Sequence, residues 1–178
     1  MKNTFKVALG GIIAALSIVI MLLSGLIPIG TYALPALSGI LLIAIVIEAG
    51  FVWAFGVFAV VSVLSLFLVA DKEAVLCFIA FLGYYPILKS RIELISKRSI
   101  QIIVKLLVFN TAAVTAYFVA VNVLAIPVEE FYIGEYNLPA VLLAVGNILM
   151  LLYDYAISLL VTTYVQRLRG KLNINKFR

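Results

Sequence analysis

Residues 32–69, YALPALSGILLIAIVIEAGFVWAFGVFAVVSVLSLFLV, decide the fold of this chain. Glu48 is the only charged residue in the tract, and the tract is too long for one membrane-spanning helix, which needs about 20 apolar residues. It breaks naturally at Glu48-Ala-Gly50, which predicts two spans, 34–47 and 51–69, joined by a tight turn. Two consecutive apolar helices indicate a protein whose solvent is lipid.

The composition of the whole chain supports the same interpretation. Of its 178 residues, 66% are hydrophobic and 12% are charged, whereas soluble domains carry about 25% charged residues. One globular core cannot hide so much hydrocarbon. Residues 7–27 follow a basic start, but they are too long for the apolar core of a secretory signal and are followed by more spans. They are therefore predicted to form a retained first helix.

Interruptions by charge, proline and glycine divide the remaining sequence into further spans. Helices are expected because lipid offers no hydrogen bonds to unpaired backbone N–H and C=O groups. A β-barrel is not expected, because its strands would alternate between apolar and polar residues. The predicted fold class is an all-α integral membrane protein, a single six-helix transmembrane domain (1–178) of a multi-pass cell-membrane protein. The predicted spans are 7–27, 34–47, 51–69, 74–88, 102–126 and 138–165.

The distribution of charge predicts the orientation. With the N-terminus in the cytoplasm, every lysine and arginine except Lys72 lies inside, and an even number of spans places both termini in the cytoplasm. Residues 89–101 then form a central cytoplasmic loop, expected to be a short amphipathic helix on the membrane, and 166–178 form a basic tail. Orientation and contact with anionic lipid explain these charges better than nucleic-acid binding.

The sequence offers little for catalysis. It contains no histidine, which removes Ser-His and Cys-His pairs, HExxH zinc sites and imidazole proton shuttles. Cys77 is the single cysteine, and there is no phosphate-binding glycine loop or cluster of metal ligands. The chain is therefore predicted not to be an enzyme and to hold no cofactor or metal.

Polar residues inside spans are costly in lipid, so each is a candidate site. Asp154 is the only acid well inside a span, and it is either a solute or proton ligand or the partner of Lys105 or a nearby loop base. Asn122 is equally open to a ligand role and a structural one. Lys72, in Asp71-Lys72-Glu73, could bind a zwitterionic or anionic solute or belong to a solvated turn.

The first helix carries small residues at helical spacing. Ala8, Gly11 and Ala15 share one face, and Gly10 and Ala14 lie alongside. Such small-xxx-small spacing lets another helix approach closely, whether that helix belongs to the same chain or to a partner.

These features together resemble a known family. Six short helices with both termini inside, the small-residue face ALGGIIAAL (8–16) and the turn GLIPIGTYALPALSG (25–39) resemble the substrate-binding S components of energy-coupling factor (ECF) transporters. The stretch from Glu48 through DKEAVLCFIAFLGYYPILKSRIE (71–93) looks like a branch of these proteins found in Firmicutes. The resemblance covers most of the chain.

The resemblance implies a function and partners. An S component captures a vitamin or similar micronutrient from outside, in a pocket formed by the outer halves of its helices and gated by the loop that here is 28–35. Small residues of its first helix meet a transmembrane coupling subunit that is driven by two ATPases. The family's AxxxA pattern is replaced here by Gly10–Ala14 and Gly11–Ala15. The candidate solute-binding residues are Tyr32, Lys72, Tyr117, Asn122 and Asn147.

Two other classes stay open. The chain could be a membrane scaffold, similar to rod-shape-determining membrane proteins, that recruits cytoplasmic partners through the 89–98 loop and the basic tail. The chain could also be a membrane enzyme whose activity depends on Asp154. Loss of solute binding in Asn122→Ala or Asn147→Ala marks an importer, whereas dependence on Lys97 and Arg98 marks a scaffold. The sequence names no particular solute.

Overall fold

The computed structural model describes residues 3–27, 30–123, 132–133 and 136–168. Within these ranges the chain is helical apart from turns and one minimal strand pair, so the prediction of an all-helical chain with six candidate membrane spans is confirmed. Six helical stretches are long and apolar enough to cross a membrane. Their bounds are Asn3–Leu23, Gly30–Glu48, Phe51–Leu68, Lys72–Ile92, Arg98–Asn122 and Leu143–Gln166.

The elements follow one another with short connections. The strand pair joins Tyr132–Ile133 (β1) to Tyr136–Asn137 (β2) in antiparallel register. The fourth span consists of three pieces, α4, a π-helical segment and α5. The helical elements are α1 Asn3–Leu23, α2 Gly30–Glu48, α3 Phe51–Leu68, α4 Lys72–Cys77, the π-helical segment Phe78–Leu82, α5 Tyr85–Ile92, α6 Arg98–Asn122, α7 Leu138–Thr163 and a final π-helical turn Tyr164–Leu168.

The break in the long apolar tract lies where the sequence analysis places it. Helix α2 ends at Glu48 and α3 begins at Phe51. Gly50 makes this reversal with a φ of 94°, a conformation that costs glycine little and other residues much. Helix α1 packs on α2, and the hydroxyls of Ser17 and Ser38 each donate to the other's backbone carbonyl, at 3.5 and 3.3 Å. Such interhelical hydrogen bonds join helices where water cannot compete.

Two clusters of buried apolar side chains form the core. The first lies among α1, α2, α3 and the fourth span, and Leu42 and Phe78 belong to it. The second lies among α2, the fourth span, α6 and α7, and includes Ile43, Phe81 and Met150. Since α2 and the fourth span contribute to both clusters, they connect the first three helices to the last two.

The fourth span is interrupted near its middle. Pro86 has no N–H, so the carbonyl of Leu82, four residues earlier, lacks its helical donor. The Tyr153 hydroxyl of α7 lies 3.0 Å from that carbonyl and 3.3 Å from the carbonyl of Ala36. Gly39 permits this close approach, because a Cβ at that position would collide with the Leu82 carbonyl. A backbone group freed by proline is thus satisfied by a neighbouring span.

The connection between the fourth and fifth spans differs from its prediction. Helix α5 continues to Ile92 and α6 begins at Arg98, so only 93–97 connect them, and 89–101 do not form a separate surface helix. Lys89 is 2% exposed, whereas Lys97 and Arg98 are exposed. The described residues exclude 28–29 of the predicted gate, 124–131 after α6, and 169–178 of the predicted tail.

Candidate functional site

The end of the bundle where α5 meets α6 holds four charged side chains, here named the charge cluster. Its acids are Glu93 and Asp154, and its bases are Lys89 and Lys105. The Lys89 and Lys105 side chains are 3% and 7% exposed, whereas that of Glu93 is 43% exposed. Two ammonium groups facing two carboxylates make the cluster neutral, which is the condition under which charges are tolerated away from water.

The Asp154 carboxylate on α7 accepts hydrogen bonds from both the fourth span and α6. The ammonium of Lys105 lies 2.9 Å from its carboxylate. Lys89 contacts Oδ1 of the same carboxylate, and its ammonium lies 3.2 Å from the Asp154 backbone carbonyl. The Tyr85 hydroxyl donates to Oδ1 at 2.6 Å. The pairing of Asp154 with Lys105 considered from the sequence is therefore present in the structure, as one contact of a larger network.

Glu93 completes the network at its exposed edge. Its Oε1 lies 2.6 Å from the Lys89 ammonium and 3.2 Å from the Lys105 ammonium. Tyr85, Lys89 and Glu93 follow one another at steps of four, so the three side chains leave one face of α5 and its C-cap. That spacing is visible in the sequence, but it is concealed when the span is taken to end at 88 and Lys89 is assigned to a loop.

The network determines what Asp154 can do chemically. A carboxylate offers about four acceptor positions, and three side-chain donors already use most of them. About one acceptor position is left, so a solute or a reacting proton would compete with three donors for this carboxylate. In the arrangement present, Asp154 ties α7 to α5 through Tyr85 and Lys89 and to α6 through Lys105.

Nearer the middle of the bundle, α6 and α7 are joined by two amides. Asn110 donates to Asn147 Oδ1 at 3.0 Å, and Asn147 donates to Asn110 Oδ1 at 3.1 Å. Each side-chain amide also donates to a carbonyl one turn earlier in its own helix, at 2.8 and 2.7 Å. The pair satisfies both amides, so the predicted ligand Asn147 has a protein partner in this conformation.

The other predicted solute-binding residues also have structural contacts. The Lys72 ammonium donates to the carbonyls of Leu66 and Val69, both at 2.8 Å, and so caps the end of α3. Asn122 donates to the Phe118 carbonyl in its own helix at 2.8 Å. The ring of Tyr117 lies edge-on to that of Phe118.

Tyr32, the last of the five, is 66% exposed near the start of α2. The five residues Tyr32, Lys72, Tyr117, Asn122 and Asn147 are not among those that line the groove between the fourth span and α6, which is described below.

The small residues of α1 are divided between two faces. Gly10 and Ala14 are buried, and a Cβ at Gly10 would lie 3.2 Å from Val57 of α3. Ala8, Gly11 and Ala15 are exposed, and a Cβ at Gly11 would meet nothing within 4 Å. Only the face of Gly10 and Ala14 is used for internal packing. The sequence could not show which of the two faces is buried, because both have the same spacing.

An apolar groove of about 440 Å³ lies between the fourth span and α6. Its floor is made of small and aliphatic side chains, and two threonines on α6 supply hydroxyls. The sequence analysis placed no site here, since the residues that line the groove come from two spans. They are Ala80, Tyr84, Leu88, Leu107, Val108, Thr111, Ala112 and Thr115.

Metal ligands are not grouped in the part of the chain that the structure describes, where no three acidic, cysteine or histidine side chains could hold an ion. The described residues therefore offer hydrogen bonds, a charge network and apolar surface as their means of recognition. No protein-family model, curated protein or solved structure matches this chain.

Proposed function

We propose that this chain is the membrane-embedded solute-binding subunit of an ATP-driven, ECF-type importer, capturing a vitamin-like micronutrient from outside. One observation carries the proposal. Helix α1 has two faces of small residues, and the bundle uses only one of them. The other, made of Ala8, Gly11 and Ala15, is exposed, and a Cβ at Gly11 would meet nothing within 4 Å.

An exposed face of small residues suits a helix of another protein better than it suits lipid alone. Lipid tails are as apolar as leucine, so helices associate in membranes by close packing, and small residues let two backbones approach. Gly10 illustrates this within the chain, where its lack of a side chain lets Val57 of α3 come near. In the family that the sequence resembles, the corresponding surface meets the coupling subunit.

Solute binding would require a local rearrangement of the predicted pocket. Asn147 would exchange its hydrogen bonds with Asn110 for hydrogen bonds with the solute. Interhelical hydrogen bonds in membranes contribute about 0.6 kcal/mol on average, so this exchange is inexpensive. An amide pair that opens readily is compatible with a subunit that alternates between an empty and an occupied state.

The solute is identified by native mass spectrometry of the gently purified protein, followed by analysis of the released small molecules. We expect one co-purifying micronutrient that is lost in Asn147→Ala and in Asn122→Ala. Thr162→Ala is the matched control, because Thr162 is an exposed residue that donates only within its own helix. Retention of the solute in both asparagine variants would contradict the assigned pocket.

The docking face is tested with a pair of glycines. A Cβ at Gly11 and a Cβ at Gly56 both meet nothing within 4 Å, so leucine fits the isolated protein at either position. Gly56 is an exposed residue of α3 and does not belong to the small-residue face of α1. Gly11→Leu should abolish co-purification with the co-expressed coupling subunit and ATPases, while Gly56→Leu should preserve it. Equal co-purification of the two variants would remove the observation on which the proposal depends.

The scaffold alternative retains less of its predicted surface. Lys89 is buried in the charge cluster, so it cannot contact a cytoplasmic partner. Lys97 and Arg98 are exposed and stay available. If their neutralisation, rather than Gly11→Leu, removed the protein partners, the scaffold would replace the importer.

A further inference from the structure

We propose that the groove between the fourth span and α6 binds an anionic phospholipid, with an acyl chain along the groove and the phosphate at Lys97 and Arg98. The site does not depend on the importer function or on its solute. It combines three features: an apolar groove, exposed basic residues at the start of α6, which is one of the two helices that line the groove, and a neutral cluster that leaves those bases uncompensated.

The groove has the chemistry of an acyl-chain site. Apolar side chains dominate its lining, and Ala80 and Ala112 leave room between the two helices. The hydroxyl of Thr115 donates to the Thr111 carbonyl in its own helix, at 2.8 Å, so it does not require a polar ligand. A volume of about 440 Å³ falls within the range of small-molecule pockets.

The depth of the groove matches one leaflet. At about 1.5 Å per residue, Leu88 lies about 6 Å from the end of α5 at Ile92, and Ala80 lies about 18 Å from it. Half of the hydrocarbon core of a bilayer is about 15 Å thick. A chain that enters beside α5 therefore follows the groove for most of a leaflet.

The head group is indicated by charge. Within the charge cluster, Lys89 and Lys105 are matched by Glu93 and Asp154. The remaining charges between 89 and 105 are Arg91, Lys97 and Arg98, all positive. The Arg91 guanidinium lies 4.8 Å from the ring centroid of Phe51, on the side of α3. Lys97 and Arg98 are exposed at the start of α6, and no carboxylate among the described residues pairs with them.

The basic residues and the groove share one face of α6. Arg98, Lys105 and Ala112 are seven residues apart, which is about two helical turns, and Thr115 follows at the next step of three. Because Lys105 contacts Glu93 at the end of α5, Arg98 lies about 10 Å beyond the cluster along α6, where we place the phosphate. A single lipid can therefore place its phosphate at Arg98 and its acyl chain at Ala112.

The test measures lipid retention by native mass spectrometry of the full chain, purified into micelles that contain equal phosphatidylglycerol and phosphatidylcholine with identical acyl chains. We expect phosphatidylglycerol to be retained preferentially. A basic residue near the membrane surface changes affinity about fivefold, so Arg98→Gln should lower the preference about fivefold and the double variant with Lys97→Gln about 25-fold. Lys6→Gln, which removes a basic residue from α1, should leave it unchanged.

Variants that fill the groove test the acyl-chain site separately from the head-group site. Thr111→Phe places bulk in the groove from an exposed position, and Val114→Phe adds similar bulk to an exposed position outside it. Thr111→Phe should reduce retention of both lipids, whereas Val114→Phe should not. Equal retention of the two lipids by the unaltered protein, or equal effects of Arg98→Gln and Lys6→Gln, would overturn the head-group assignment. Release of an apolar solute instead of phospholipid would contradict the proposal that the groove binds a phospholipid.

Discussion

Asp154 shows how one residue organises three spans. Its carboxylate accepts from Tyr85, Lys89 and Lys105, and each contact crosses from α7 to another helix. Burying ions costs several kcal/mol each, and that cost is offset only when every charge has a partner. The cluster is therefore sensitive to the loss of any one member.

Asp154→Asn is predicted to destabilise the protein strongly. The variant keeps the shape of the side chain but leaves two buried ammonium groups facing Glu93 alone, and breaking a buried pair costs about 3–5 kcal/mol. The free energy of unfolding, measured by SDS titration in mixed micelles, should fall by about that amount. Adding Lys105→Met should recover part of the loss. Glu73→Gln, at an exposed position in α4, is the control, and an equal effect there would contradict this account.

Tyr153→Phe is predicted to cost about 1–3 kcal/mol, because it removes the donor to the half-buried Leu82 carbonyl, which Pro86 leaves without a helical partner. Tyr155→Phe removes the same hydroxyl from a residue that is 69% exposed and should change stability little. The difference between the two unfolding midpoints isolates the hydrogen bond. No difference would mean that the carbonyl does not need Tyr153.

The sequence predicted part of this site. Asp154 stood out because an acid inside a span is costly, and Lys105 was a nearby base. Lys89 did not stand out, because hydropathy alone cannot tell a charged residue that ends a span from one that turns back into the protein. Tyr153 could not be identified either, since its role depends on a carbonyl that Pro86 frees in another span.

At the scale of elements, the fourth span differs from the others in being built from three short pieces. Its α5 segment is held to α6 and α7 by the charge cluster, and its π-helical segment meets α7 through Tyr153. Pro86 lies in this span, and the sequence analysis ends the predicted span two residues after it, at 88. A proline one turn after a π-helical segment continues the span when a neighbouring helix supplies the missing donor.

The amide pair is predicted to couple α6 and α7. Asn110→Ala and Asn147→Ala should show an interaction energy of about 0.6–1.7 kcal/mol in a double-mutant cycle of unfolding free energies, as interhelical hydrogen bonds in membranes do. The same cycle with Asn110→Ala and Asn122→Ala should show none, because Asn122 bonds only within its own helix among the contacts described. Additive effects of Asn110 and Asn147 would show that the pair contributes nothing to joining the helices.

At the scale of the whole molecule, hydropathy was enough to define six spans, because the free energy of placing apolar helices in lipid depends on composition more than on contacts. Which face of each helix turns inward was not available from composition. The two small-residue faces of α1 have the same spacing, and only the position of Val57 on α3 decides that Gly10 is buried and Gly11 is not.

The predicted orientation is tested by labelling. In a Cys77→Ser background, Ala70→Cys lies in the turn before α4 and Ser96→Cys lies in the connection before α6, both exposed. With the N-terminus inside, a membrane-impermeant maleimide added to intact cells should label Ala70→Cys and spare Ser96→Cys. The reverse pattern would contradict the orientation inferred from charge.

The two contacts that complete the fourth span bear on how the chain is made. Tyr153 and Asp154 follow Leu82 and Lys89 by 71 and 65 residues, so the ribosome has not yet synthesised them when the fourth span leaves the exit tunnel. Until the sixth span enters the bilayer, the fourth span holds a carbonyl without a donor and an ammonium that is paired only with the half-exposed Glu93. A nascent chain stopped before residue 153 therefore keeps a span with both defects, which is the kind of polar exposure in lipid that membrane quality control is suited to remove.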